Sequence, residues 1–252
     1  MNVALVTGSS SGIGQAVAER FRSAGWTVVG FSRREGVDLT DDASVAAGLK
    51  LALERHGRID VLVNNAGTGI FGVAEFARTE DIRRQFEVNF FAAVALTQKV
   101  LGIMRGQGGG RIVNVASAAA LFPLPFQSYY TATKAALLAW SRSLAGEVGR
   151  LGIKVSAVCP GDVKTGFTAA RTVSSAGDEI YGGAVERALR KAAASEESGM
   201  KPESIAAEVF ACATARRPPL VAVPGLGYAW LDRLARLLPR TLVSRLITRF
   251  YT

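Results

Sequence analysis

Tyr130 and Lys134 stand four residues apart in Tyr130-Thr131-Ala132-Thr133-Lys134, a run that opens a long stretch of helical patterning. That spacing puts a phenol and an ammonium on one helix face. A tyrosine titrating near ~10 is a poor acid–base group at neutral pH, and a lysine cation beside it would lower that value by stabilising the phenolate. The pair is thereby tuned for proton transfer. Ser117, which follows the apolar run Ile112 to Val115, adds a hydroxyl able to bond the same substrate oxygen. Tyr129 lies five residues from Lys134 and points to a different face.

Proton transfer of this kind needs a partner reaction, and the start of the chain suggests one. The β-branched run Val3 to Thr7 leads into Gly8-Ser9-Ser10-Ser11-Gly12-Ile13-Gly14 and then a helical pattern. In that context a glycine-rich turn is a dinucleotide site: Gly8 permits the tight turn, Gly12 lets backbone approach a pyrophosphate, and Gly14 lets helix and strand pack closely. The helix N–H groups attract the phosphates. The second strand ends at Phe31-Ser32 and is followed by Arg33 and Arg34, where an NAD site would carry an acid for the ribose hydroxyls. A guanidinium at Arg33 suits the 2′-phosphate of NADP, so NADP(H) is expected over NAD(H). Asn64-Asn65-Ala66-Gly67 ends a further strand, and its small residues let backbone sit close to a bound ligand.

These residues need a scaffold, and the apolar runs supply it. Strands read at VALVTG, WTVVGFS, IDVLVNNAG, RIVNVAS from Arg111, KVSAVCPG from Lys154 and PLVAVPG from Pro219, with helical patterns between them. The alternation predicts βαβ units and one doubly wound α/β domain over all 252 residues, its parallel sheet covered by helices on both faces. A hydrophobic fraction of 49% with 20% charged residues is that of a globular chain. The net charge of +9 is scattered through helical stretches with no basic run interleaved with aromatics, so no nucleic-acid partner is expected. Cys159 and Cys212 read as buried thiols, and His56 as a helix-end residue before Gly57, so no metal site is expected. The first strand begins too early for a secretory leader, and a cytoplasmic protein is expected.

Taken together, TGSSSGIG at Thr7 to Gly14, NNAG at Asn64 to Gly67, Ser117, YTATK at Tyr130 to Lys134, and PGDVKT at Pro160 to Thr165 resemble the short-chain dehydrogenase/reductase family. The resemblance covers the chain to about Thr165 and is looser beyond. It implies a Rossmann-type sheet of about seven strands, a helix-mediated homodimer or homotetramer, and carbonyl/alcohol interconversion with a nicotinamide cofactor. On this reading Tyr130 exchanges a proton with the substrate oxygen, Ser117 positions that oxygen, and Lys134 tunes the tyrosine and bonds the nicotinamide ribose. Asn89, in FEVNFF, completes a tetrad by supporting a water-linked proton path. Ser10, Ser11, Ile13, Ser32, Arg33 and Arg34 fall on the cofactor side with the three glycines, and Asn65, Ala66 and Gly67 join them. Asp38 and Leu39 would border the adenine, and Pro160, Gly161, Val163 and Thr165 the carboxamide end. Only three residues separate Arg34 from Asp38, so the helix that many members carry there must be almost absent.

Two segments follow the last shared motif: 165–201, expected as a substrate lid, and 228–252, expected as an amphipathic tail. The loop Leu121-Phe122-Pro123-Leu124-Pro125-Phe126 ends beside the tyrosine and suits a lipophilic pocket, as do Phe167 and Tyr181 in the lid. In the tail, Leu231, Leu234, Leu237 and Leu238 share a face opposite arginines until Pro239 breaks the pattern. Such a tail can lie on a membrane surface, a partner subunit or its own domain. Lid and tail resemble those of the 17β-hydroxysteroid and retinol dehydrogenase-like members, which implies a steroid-, retinoid- or lipid-like carbonyl or alcohol as substrate. Two classes stay open: an active reductase, or an NADP(H)-binding sensor or scaffold without turnover.

Overall fold

The computed structural model describes residues 1–167, 169–235 and 237–251. Thr168, in the expected lid, and Arg236 and Thr252, in the expected tail, lie outside the described residues. Six strands form one parallel sheet: β1 (Val3–Thr7), β2 (Thr27–Phe31), β3 (Val61–Asn64), β5 (Gly110–Val115), β6 (Ile153–Val158) and β8 (Val221–Ala222), in the order β2-β1-β3-β5-β6-β8. These are the six runs read from the sequence. Two further pairs of residues, β4 (Ile70–Phe71) and β7 (Thr172–Val173), form a small parallel sheet of their own.

Among the described residues the main sheet has six strands, where the family resemblance implies about seven. Arg33–Glu35 makes one 3-10 turn, Gly36 takes φ 81°, and the chain reaches the Asp41 cap of α2 (Asp42–His56) without a strand. So few residues cannot hold a helix and return as a strand, and β2 is left as the sheet edge.

Although the strands read as continuous apolar runs, alternate side chains serve two cores. Ala4, Val6, Val61, Val63, Val113 and Val115 face α1 (Gly12–Ser23) and α7 (Pro202–Thr214), meeting Val17, Phe21 and Val209. Leu5, Leu62 and Ile112 face α2, α4 (Ala92–Gly106) and α5 (Ser128–Val148), meeting Leu49, Leu96, Val100, Met104 and Leu144. Each such side chain stabilises the fold by roughly 1.5–3 kcal/mol on burial. The run from α3 (Thr79–Phe86) through α4 is long and apolar enough to cross a membrane, with mean hydropathy 1.3. Leu96, Val100 and Met104 nevertheless bury its inner face in this core.

The order reverses between β1 and β3, which leaves a crevice outside their carboxyl ends. The glycine turn after β1 and the Asn-Asn-Ala-Gly turn after β3 both open into it.

The expected lid holds α6 (Ala184–Glu197), preceded by turns and β7. In the expected tail, α8 (Leu226–Ala235) and α9 (Arg240–Tyr251) are separated at Pro239. α8 is fastened to the body near its start: Tyr228 Oη donates to Asp162 Oδ2 at 2.6 Å, and its ring lies where a Cβ on Gly161 would stand.

Candidate active site

The crevice is part of one cavity of about 1470 Å³ that runs from the glycine turn to the C-terminal helices. Its walls hold Gly8, Ser10 to Ile13, Ser32 to Arg34, Asp38, Leu39, Asn65 to Gly67, Ser117, Tyr130, Lys134, Pro160, Gly161, Val163 and Thr165. Two expected site residues are set back from this wall, Gly14 and Asn89. Gly14 acts by its missing side chain, because a Cβ there would stand 2.1 Å from the Gly8 carbonyl oxygen.

The glycine turn fits a dinucleotide. Gly8 and Gly12 have φ 66° and 53°, the left-handed region in which glycine is unstrained. Ser11 precedes the first turn of α1, which carries no acidic residue to oppose phosphate. The turn is braced by β3: Thr7 Oγ1 accepts from the N–H groups of Asn65 and Ala66 at 2.8 and 3.0 Å, and Asn65 Nδ2 donates to the Thr7 carbonyl. Thr165 faces Gly12 from the far side, 3.5 Å from where a Cβ would stand.

At the end of β2, Arg33 and Arg34 are exposed on the cavity rim, and Arg34 Nη1 reaches the Ser10 carbonyl at 3.4 Å. The sequence reading found no acid at this strand end, but the 3-10 turn folds Glu35 back under it. Its Oε2 accepts from Ser32 Oγ at 2.6 Å and from Ser9 Oγ, and the carboxylate fills the space left by the absent side chain of Gly30. Gly30 was the available signal, since a glycine inside a strand marks a close approach. Asp38 is exposed, and its Oδ1 accepts from the N–H and hydroxyl of Thr40, which holds its carboxyl below the usual range.

Ser117, Tyr130 and Lys134 converge from two elements. Ser117 follows β5, where its Oγ accepts from Ala119 N–H at 3.1 Å. Tyr130 is half-buried in the first turn of α5, with the Ser117 hydroxyl near enough to its phenol to oppose the effect of burial. Lys134, one turn later, is only 4% exposed and donates to the Val115 carbonyl at 2.9 Å. A buried side-chain network registers α5 on the sheet: Asn64 Nδ2 donates to Thr97 and to Asn114, and Asn114 Nδ2 donates to Ser141. Asn64 thus turns into the core while Asn65 faces the cofactor crevice. Tyr129 points elsewhere, donating to the Ala74 carbonyl at 3.0 Å.

The expected electrostatics of the pair need correction. Burial pushes the Tyr130 phenol above its ordinary value, and the Ser117 hydroxyl opposes this only in part. The Lys134 ammonium, bonded to the Val115 carbonyl and 5.9 Å from the phenol ring centroid, does not outweigh that burial. The lysine itself responds most, falling from 10.5 to about 8 because its charge is buried. Burial also holds the Cys159 and Cys212 thiols up at about 11, so both are neutral at physiological pH, as expected.

Asn89 sits in a π-helical turn, Glu87–Phe91, between α3 and α4. Its Oδ1 accepts from Thr68 N–H at 2.8 Å, while its Nδ2 donates to the Thr68 carbonyl and to Thr133 Oγ1. The asparagine thus fastens the segment after Gly67 to the helix carrying Tyr130 and Lys134. Single π turns of this kind are frequent at functional sites, and a helical period alone does not reveal them.

The apolar loop divides. Phe122 and Leu124 line the cavity, Leu121 packs with Leu138 and Cys159, and Phe126 packs against Phe71 and Val185. Phe167 from the lid stacks near Tyr130 with centroids 5.7 Å apart, whereas Tyr181 is exposed and bonds Glu75. Leu231, Leu234 and Leu238 line the far end, with Leu231 and Leu234 still about half exposed, and Leu237 is exposed outside it. Arg171, Glu196, Asp162 and Tyr228 also line the cavity and were not singled out in the sequence. Arg171, Glu196 and Tyr228 come from segments with no shared motif, whereas Asp162 sits inside PGDVKT.

The sequence pattern of the short chain dehydrogenase family matches residues 35–175. The chain is 35% identical over 229 residues to a 3-ketodihydrosphingosine reductase of Bacteroides thetaiotaomicron, covering 86% of this chain and 85% of that one. A short-chain dehydrogenase from Streptomyces avermitilis superposes with a TM-score of 0.81 at 32% identity, over 97% of both chains. A 3-ketoacyl-(acyl-carrier-protein) reductase from Brucella melitensis, complexed with NADH, does so with a TM-score of 0.75 at 27% identity, over 88% of this chain and 95% of that one. With its crevice, glycine turn and Ser-Tyr-Lys group, the chain belongs to the short-chain dehydrogenase/reductase family of nicotinamide-dependent oxidoreductases.

Proposed function

We propose that this protein is an NADP(H)-preferring reductase of lipophilic ketones, with Tyr130 as the proton donor. The observation that carries the reading is the meeting of Ser117, Tyr130 and Lys134 in one cavity with the glycine turn at one end and leucines of α8 at the other. When bound, the nicotinamide supplies the hydride for the carbonyl carbon. Tyr130 Oη gives its proton to the carbonyl oxygen, and Ser117, which shares this cavity wall, holds the oxygen in place. The Lys134 ammonium favours the phenolate that forms as the proton leaves, and Asn89 keeps the helix and the segment after Gly67 in register. The named activity of the Bacteroides relative, on a 3-ketodihydrosphingosine, supports a ketone on a long apolar chain.

NADP(H) preference rests on Arg33 and Arg34 at the rim, whose guanidinium groups suit a 2′-phosphate. Arg33→Asp is expected to lower the ratio of kcat/KM with NADPH to that with NADH by on the order of 100-fold, the worth of one strong charge-assisted contact. Steady-state kinetics with both cofactors check it, and an unchanged ratio would remove the assignment.

The protein works in the cytoplasm against a membrane surface, from which the substrate enters past α8 and α9. Leu226, Trp230 and Leu246 are exposed on these helices and Leu237 between them, alongside Arg233, Arg245 and Arg249. Co-sedimentation with anionic liposomes should be lost on truncation after Gly227, and equal co-sedimentation of the truncated chain would refute this placement. A homo-oligomer forms through the outer faces of α4 and α5, where Phe91 is half exposed beside Phe90, itself against Trp140.

A further inference from the structure

The cavity holds a second cluster, outside the Ser117–Tyr130–Lys134 group. Arg171, immediately before β7, and Glu196, in the last turn of α6, form an ion pair through Nη2 and Oε1 with side chains 7% and 10% exposed. That single contact leaves Arg171 Nε and Nη1 and Glu196 Oε2 buried without a hydrogen-bond partner. A buried pair serving only to pin the lid would be expected to close as a two-bond fork, because unmatched buried donors and acceptors are costly. Here two donors and one acceptor are left over.

Their position links them to the reaction. The Arg171 guanidinium carbon lies 5.1 Å from the Phe167 ring centroid, and that ring lies 5.7 Å from the ring of Tyr130. One aromatic ring therefore separates the pair from the proton donor, and both residues line the same cavity. The charge around them is not balanced. Asp162, also on the cavity wall, acts on Glu196 and on Tyr130 with the same sign as a carboxylate, so two acids stand against Arg171.

We propose that Arg171 and Glu196 form a headgroup subsite for a substrate that carries an amino-alcohol group within a few bonds of its carbonyl. Glu196 Oε2 accepts from the ammonium, and Arg171 donates to the hydroxyl oxygen. A headgroup with a donor and an acceptor side by side matches the atoms left over, and its positive charge suits the acidic excess. The apolar chain then runs toward Leu231, Leu234 and Leu238. This inference rests on the ketone-reductase reading and names the part of the substrate that reading leaves open.

The test compares kcat/KM with NADPH for two ketones of equal chain length, one bearing a 2-amino-1-hydroxy head beside the carbonyl and one unsubstituted. The wild-type protein is expected to favour the amino ketone by on the order of 100-fold, and the isosteric Glu196→Gln is expected to erase that ratio. Equal turnover of both ketones by the wild-type protein overturns the subsite and leaves the reductase reading standing. So does a ratio that survives in Glu196→Gln. No turnover of either ketone overturns the reductase reading itself.

Discussion

Tyr130→Phe is expected to lower kcat for ketone reduction by about 10²–10⁴-fold, the usual contribution of a positioned general acid, while the variant still folds and binds cofactor. The substitution removes one oxygen and keeps the ring against Phe167, so packing survives and the proton is lost. The pH profile of the wild-type protein follows from the two shifts. Burial keeps the Tyr130 phenol protonated through neutral pH, as reduction requires, whereas Lys134 titrates at about 8. As pH rises through that value the ammonium is lost, and the phenolate forming at Tyr130 loses its support. kcat/KM for reduction should therefore fall above pH 8, with the descending limb set by the lysine rather than the tyrosine. Steady-state kinetics across pH check both statements, and full activity in Tyr130→Phe would contradict the first.

Lys134→Met should separate function from stability. Its folded value of about 8 lies below the ordinary 10.5, so between those two pH values the unfolded chain binds more protons than the folded one. Stability of the wild-type protein then rises with pH across that window, by roughly 3 kcal/mol in total, and the full cost of the buried charge is carried below it. Methionine fills similar space without a charge. Urea unfolding of the variant should lose that slope, while reduction falls by at least about 100-fold because the phenolate is no longer supported. An unchanged slope would mean that the ammonium keeps its solvation in the folded protein.

The features legible in the sequence are those carried by local spacing. The i, i+4 spacing of Tyr130 and Lys134 sufficed to put both on one helix face, and Gly8, Gly12 and Gly14 marked a turn that side chains cannot occupy. The apolar runs likewise located all six strands of the main sheet. What stayed hidden depends on meetings through space. Arg171 and Glu196 are brought together by the fold of the lid, and Tyr228 reaches Asp162 across 66 residues. Glu35 stayed hidden for a subtler reason: it stands three residues past Ser32, and only a 3-10 turn over the bare face of Gly30 returns it to the strand end. The Lys134 ammonium was expected to face the phenol, but burial gives it a stronger claim on the Val115 carbonyl.

Glu35 also bears on cofactor choice. An acid beneath Ser9 and Ser32 places negative charge near the rim where Arg33 and Arg34 are positive, so the proposed preference for a 2′-phosphate turns on the balance between them. The arginines are exposed, Arg34 held only by a long bond to the Ser10 carbonyl, whereas the carboxylate is tied to two hydroxyls that offset its charge.

The central claim is hydride transfer from a nicotinamide to a long-chain ketone in the cavity beside Tyr130. It is tested most directly by incubating the protein with NADPH deuterated at the nicotinamide C4 and a long-chain ketone, followed by mass spectrometry of the product. The expected product is an alcohol with one deuterium on its carbinol carbon, and almost none forms with Tyr130→Phe. Cofactor that binds tightly while the ketone is recovered unchanged and unlabelled would contradict it.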